Sequence, residues 1–129
     1  MLRLLFYKPS SIRLACTDSN ASDVIYRKVE DVDNLFDTTH HCEVAYRQED
    51  FTYFLFLDGI LILQANTTKA TERLSRAFSL GRAISNNAKM TGYLDEFRLS
   101  QGIVRHTQDF TPPITPYEVD QFTVALLHF

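Results

Sequence analysis

Short apolar runs separated by turn residues recur along the whole chain. Residues 3–7 (RLLFY) and 12–16 (IRLAC) flank Lys8-Pro9-Ser10-Ser11, which predicts two short strands around a turn. Residues 44–47 (VAYR) predict another. Residues 51–57 (FTYFLFL) and 60–63 (ILIL) flank Asp58-Gly59. Asp-Gly between two β-rich runs is a strong hairpin signal, because both turn positions need positive φ, which Asp tolerates and Gly favours. These two runs are apolar on both faces. That pattern fits central strands covered on both sides, or an outer face buried by a partner.

Residues 78–81 (FSLG) predict a short strand ending in a turn. Residues 91–100 (TGYLDEFRLS) predict a strand whose alternation puts Tyr93, Asp95, Phe97 and Leu99 on one face. Leu94, Glu96, Arg98 and Ser100 take the other. Residues 122–129 (FTVALLHF) are rich in strand formers. Residues 111–116 (TPPITP) cannot occupy a central strand, because proline lacks the N–H that a ladder needs. Residues 68–78 (TKATERLSRAF) suit either one short helix or a loop. Many short strands with turn signals between them predict an all-β chain, an antiparallel sandwich or barrel.

Composition narrows the class. A length of 129 residues suits one domain with a modest core. Ten Phe and six Tyr are too many for a disordered chain. No run approaches the length of a transmembrane helix, so no membrane partner is expected. The opening MLRLLFY is cut short by Lys8-Pro9, so it reads as a strand rather than a cleaved signal. A pI near 5.7 argues against nucleic acid as a partner. The loose basic group Lys69, Arg73, Arg76 and Arg82 has too few interleaved aromatics to change that. Charge is uneven, however. Residues 18–50 carry nine acids against three bases, and residues 69–105 carry seven bases against three acids. Either these are two solvated faces, or identical subunits pack head to tail through complementary patches.

Candidate chemistry is sparse. Cys16 and Cys42 are the only cysteines, read as buried free thiols, with a bridge between them only in an oxidising setting. His40-His41-Cys42 is too small a cluster for a metal, since strand neighbours point to opposite faces. Calcium needs several converging oxygens. Asp18, Asp23, Asp31, Asp33 and Asp37, with Asn20 and Asn34, are the available set, but their spacing matches no recognised calcium loop. His40, His41, His106 and His128 sit in no nucleophile motif, and no phosphate-binding glycine loop occurs. Glycoside hydrolysis needs two carboxyls facing one site, whereas adjacent Asp95 and Glu96 on a strand would point apart. Their expected role is structural. A carboxylate beside Arg98 or Arg105 would fix a turn by charge-assisted hydrogen bonds. Asp95 would accept backbone N–H bonds, and Arg105 would anchor the turn. No enzymatic activity or cofactor is expected.

The C-terminal half carries a family resemblance. Gly92-Tyr93-Leu94-Asp95-Glu96-Phe97-Arg98-Leu99-Ser100 is followed by Gly102-Ile103-Val104-Arg105 and then Phe110-Thr111-Pro112-Pro113. This series resembles the closing segment of laminin-G-like, concanavalin A-like lectin domains of the kind found in bacteriophage virion proteins. Arg47, the strand with its Asp58-Gly59 turn, and Leu80-Gly81-Arg82 follow in the family's order. The resemblance covers about residues 40–117 and implies an antiparallel jelly-roll sandwich. The chain departs from the pattern in having no Trp and no opening third, so the implied sandwich is shortened or permuted. Residues 1–117 would form it, with 118–129 as a C-terminal strand.

That strand, with Phe122, Val124, Leu126 and Phe129, resembles the family's first strand, moved to the end. It would fold back into the sandwich or pair with a neighbour, unless it is a remnant of a longer gene. The resemblance implies two functions. One is a virion subunit that decorates a capsid or serves a tail or fibre, with copies of itself or other virion proteins as partners. The other is an extracellular or virion adhesion module that binds host surface glycans through tyrosines. Tyr7, Tyr26, Tyr46, Tyr53, Tyr93 and Tyr117 are the available rings.

Overall fold

The computed structural model describes residues 2–8, 10–17, 23–68, 79–81 and 89–129. Eight strands follow in chain order: β1 (Leu2–Tyr7), β2 (Ser11–Thr17), β3 (Asp23–Val29), β4 (Cys42–Arg47), β5 (Thr52–Leu57), β6 (Ile60–Asn66), β7 (Phe97–Ser100) and β8 (Thr123–Leu127). They form three antiparallel sheets, ordered β1-β2-β3, β4-β5-β6 and β7-β8. The described chain is all-β. Within each sheet, strands paired in space are consecutive in sequence. No helix among the described residues is long and apolar enough to cross a membrane.

The chain divides into two compact units. The first is Met1–Ser75 with Val104–Pro112, and the second is Arg76–Ile103 with Pro113–Phe129. Of residues 1–117, expected as one sandwich, 76–103 and 113–117 group with the C-terminal strand.

The first unit holds the core. Ile12, Leu14 and Cys16 of β2 alternate inward, as a strand's period of two requires. They meet Ile25 of β3, Leu35, and Tyr53, Leu55 and Leu57 of β5 in one buried cluster. Two three-stranded sheets therefore share this core. β3 has no counterpart among the predicted strands, because its DVIYRKV mixes charged and apolar residues, even though Asp, Ser and Asn cluster on both sides of it. Its Ile25 is nonetheless buried against β2.

β5 is buried along its whole length, as its two apolar faces suggest. Phe54 and Phe56 lie on the face away from the shared core. The Arg47 guanidinium sits over Phe54 at 5.0 Å. The cover over Phe56 comes from the same chain, in residues 104–112. Phe110 meets Phe56 edge-on at 5.3 Å, and His106 stacks on Phe110 with ring centroids 3.6 Å apart. His106 Nδ1 also pairs with Glu43 of β4 at 2.8 Å. Here residues 104–112 act as a strap across the sheet.

The strap is fastened at the Asp58-Gly59 turn. Phe110 donates its N–H to Gly59 O at 2.9 Å, and Leu61 N–H donates to Asp109 Oδ1 at 2.8 Å. Gly59 has φ +81, and a Cβ there would lie 1.9 Å from Phe110 O. Asp58 supplies the other left-handed residue, at φ 52. The hairpin signal and the Phe110-Thr111-Pro112 segment thus form one physical unit.

Two expected elements differ. The strand over residues 91–100 is confined to β7, because Glu96 has φ 52, which an antiparallel ladder does not accommodate. Of the strand expected over 78–81, the described residues 79–81 form a bend in which Gly81 has φ 67 and accepts the Met90 N–H at 2.7 Å. The helix or loop expected over 68–78 lies outside the described residues from position 69 onward.

Candidate functional site

The second unit gathers most of the singled-out residues. β8 pairs antiparallel with β7, with Phe97 opposite Leu127 and Leu99 opposite Ala125. Gln101 N–H extends the ladder to Phe122 O at 2.9 Å. The two acids just before β7 hold the segments on either side of β8. Asp95 Oδ1 accepts the Glu96 N–H at 2.9 Å and the Phe129 N–H at 3.0 Å. Glu96 Oε1 pairs with His128 Nδ1 at 2.6 Å, and Oε2 accepts the Tyr117 N–H at 2.7 Å.

These bonds hold both carboxyls below their ordinary values. The Phe129 and Glu96 N–H groups do this for Asp95, and the His128 and Tyr117 bonds do it for Glu96. The adjacent acids do not point apart as strand neighbours would. The left-handed turn at Glu96 takes them out of the strand, and both reach the C-terminal segment. Nothing in the sequence pattern marks this. A Glu at positive φ has no compositional signature, and the partners lie 21 to 34 positions away.

Arg98 and Arg105 fall in different units. The Arg98 guanidinium lies over the Tyr117 ring at 4.0 Å. Arg105 is half-buried on the strap, and Pro112 packs at the Gly59 turn. Gly92 takes φ +153. Pro113 opens the segment leading to β8.

The second unit is thinly covered. None of its described residues is buried. Tyr93 is 102% exposed, Ile114 100%, Val119 73% and Phe129 71%. Val124 and Leu127 of β8 are exposed as well, while Phe122 and Leu126 are half-buried. Two strands with little buried apolar surface are marginal in water.

The tyrosines are dispersed. Tyr53 is buried and packs on Tyr46 at 4.8 Å, so neither ring is free for a ligand. Tyr7 and Tyr26 flank the Arg13 guanidinium at 4.4 and 4.8 Å on one face of the first sheet. Tyr7 and Arg13 also line an open cleft of about 310 Å³ with Lys8, Ser10, Lys28 and Asp31. Sequence spacing alone does not gather these residues; pairing of β1, β2 and β3 does.

Of the acids considered for calcium, Asp18 and Asn20 lie outside the described residues. Asp31, Asn34 and Asp37 each adopt positive φ. Their short polar side chains suit that backbone, which accounts for their density in this loop. No group of three or more metal-ligating residues occurs among the described residues. Neither thiol is in a disulfide, and Cys16 is buried. Cys42, which opens the sheet-edge strand β4, is exposed as a residue, so the expectation of two buried cysteines fails there. Burial of the Cys42 thiol group itself nevertheless pushes it up to about 11.

No family model matches the chain, and comparisons with curated proteins and with solved structures return no similar protein.

Proposed function

We propose that this protein is a non-enzymatic structural subunit of a bacteriophage virion, a capsid decoration or a tail or fibre accessory. In this reading it is a shortened or permuted lectin-like jelly roll, and neighbouring subunits cover what it leaves open. One observation carries the assembly part. The second unit is a two-stranded sheet with no buried residue among those described, and it displays Tyr93, Ile114, Val119 and Phe129 to solvent. Uncovered apolar surface and open strand edges are liabilities unless a neighbour covers them. The run FLFL is a weaker motive for assembly, because β5 is covered within its own chain, whereas ILIL lies on the edge strand β6 with Ile60 exposed. The closing motif supports the virion part, as a resemblance.

The partner is a second copy of the chain or another virion protein. The acidic 18–50 and basic 69–105 segments supply charge complementarity for copies packing head to tail. Native mass spectrometry of the isolated chain tests the reading, with near-UV circular dichroism on the same sample. The expected result is a defined oligomer, or a chain that packs only when its neighbours are present. A compact monomer with no exposed apolar surface overturns it.

The glycan-binding alternative is favoured by one specific feature, the cleft beside Tyr7. It mixes donors (Lys8, Arg13, Lys28) with acceptors (Glu30, Asp31) around an aromatic ring, which suits a polyhydroxylated ligand. A glycan array probed with the chain and with Tyr7→Ala tests it. Absence of hits, or hits unaffected by the substitution, removes this alternative.

A further inference from the structure

His40 occupies an unusual position in the loop between β3 and β4. Its Nδ1 lies 2.7 Å from Asp58 Oδ2. Its Nε2 lies 2.7 Å from the Asn34 carbonyl and 2.7 Å from Thr38 Oγ1. Thr38 Oγ1 itself donates to Asn34 O at 2.7 Å. The proton bookkeeping is therefore constrained. A carbonyl oxygen only accepts, so Nε2 must carry a hydrogen. A carboxylate only accepts, so Nδ1 must carry one too. A neutral imidazole with its hydrogen on Nδ1 satisfies Asp58 and can accept from the Thr38 hydroxyl, but it sets the Nε2 lone pair against the Asn34 carbonyl; the imidazolium satisfies both Asp58 and Asn34.

In the imidazolium state the same arrangement is no nucleophile relay. Thr38, His40 and Asp58 line up as hydroxyl, imidazole and carboxylate, but the Thr38 hydrogen and the Nε2 hydrogen both face Asn34 O. With the ring doubly protonated, no lone pair is left on Nε2 to take a proton from Thr38.

We propose that His40 is a proton-operated latch: as an imidazolium it ties residues 31–40 to the Asp58-Gly59 hairpin, and on losing a proton it releases them. The tie is reinforced at one point. Asp58 Oδ1 accepts the His41 N–H at 2.8 Å, and Asp58 N–H donates to His41 O at 2.8 Å. The strap that covers Phe56 is fastened to the same turn through Gly59 O. The charged and titratable groups on the elements that meet at the latch are Asp58 on the hairpin, Asp31, Asp33 and Asp37 on the loop, Lys8 over the loop's Phe36, and His41, Cys42 and Glu43 at the start of β4. On the strap they are His106 and Asp109.

The direction of the switch follows from the partners. The Asp58 bond raises the His40 value above its ordinary 6.5 against the opposing effect of burial, and the Asn34 carbonyl adds to the rise. A raised histidine stabilises the closed form fully below 6.5, and that stability is lost as pH rises through the folded value. Burial pushes the Asp58 carboxyl up, but its His40 and His41 bonds outweigh this and leave it below its ordinary 3.8. That contribution is present above 3.8 and lost as pH falls through the folded value. The latch is thus closed between these limits and opens on the alkaline side by loss of the imidazole proton.

The test uses the full chain. Imidazole nitrogen shifts are followed by NMR from about pH 4 to about pH 9, across the histidine titration range. Hydrogen exchange of residues 31–41, corrected for its intrinsic pH dependence, is measured alongside. The expected result is that His40 stays doubly protonated past pH 6.5. Loop protection is then lost over the pH range in which His40 titrates, with near-UV circular dichroism unchanged. Asp58→Asn retains the hairpin, since Asn-Gly suits the same turn. It is expected to lower the His40 midpoint and to abolish the pH dependence of loop exchange. A His40 midpoint at or below 6.5 in the unmodified chain overturns the latch, as does loop exchange that ignores the titration.

Discussion

Gly59 shows how much one position constrains. Its φ of +81 already disfavours any side chain, and the space a Cβ would need is taken by Phe110 O. Gly59→Ala should therefore destabilise the first unit by about 3 kcal/mol, combining backbone strain with displacement of the strap. Chemical denaturation checks this, and an unchanged midpoint would mean that the strap does not rest on the turn. Phe56 sits on the opposite footing, fully enclosed between β5 and the strap. Truncation to Ala should cost about 3–5 kcal/mol, the range for emptying a buried aromatic site. Both residues lie in runs that the sequence marks plainly. Neither run says that residues 104–112 would be the cover, because that contact is set by pairing across about half the chain.

At the scale of the element, β8 is held by two acids that precede its partner strand. Glu96→Gln keeps the acceptor for Tyr117 N–H and removes the charge that faces His128. Hydrogen exchange across residues 122–129 should accelerate in this variant while the first unit keeps its protection. Equal protection in both proteins would show that the ion pair does not hold the strand. Acid should act in the same direction. Asp95 and Glu96 have depressed folded values, so their contribution is present above their ordinary 3.8 and 4.5 and is lost as pH falls through the folded values. Protection of β8 should fall first on acidification, and loss in step with β5 would contradict this. Deleting residues 122–129 is the coarser test. β7 then has no partner strand, and the shortened chain should lose assembly or the fold of its second unit. A deletion that stays folded and assembles normally would remove both structural roles for the strand.

For the whole molecule, the relevant contrast is between two units built to different depths. The first carries the buried cluster and the strapped sheet; the second displays apolar side chains around two strands. If copies meet through the acidic 18–50 and basic 69–105 segments, their association should weaken with salt, since screening shortens the reach of exposed charges. Sedimentation at low and high ionic strength measures this. Self-association with no salt dependence would leave the apolar surface as the sole drive and remove the charge-based pairing.

The sequence by itself determined the all-β class, the β1-β2 hairpin, the Asp58-Gly59 turn and the burial of β5. Each of these follows from local chemistry, in side-chain alternation, β-branched and aromatic content, and a turn pair that tolerates positive φ. Tertiary structure decided the rest. It made a strand of β3, whose mixed sequence becomes one by pairing with β2. It ended the strand over 91–100 at Glu96, where left-handed backbone lets two adjacent acids reach the same C-terminal segment. It set His40 between a carboxylate and a carbonyl, the arrangement on which the proposed latch rests. The physical reason is common to these cases. Each depends on a partner many positions away, and a local pattern carries no record of which distant group will supply the matching donor or acceptor.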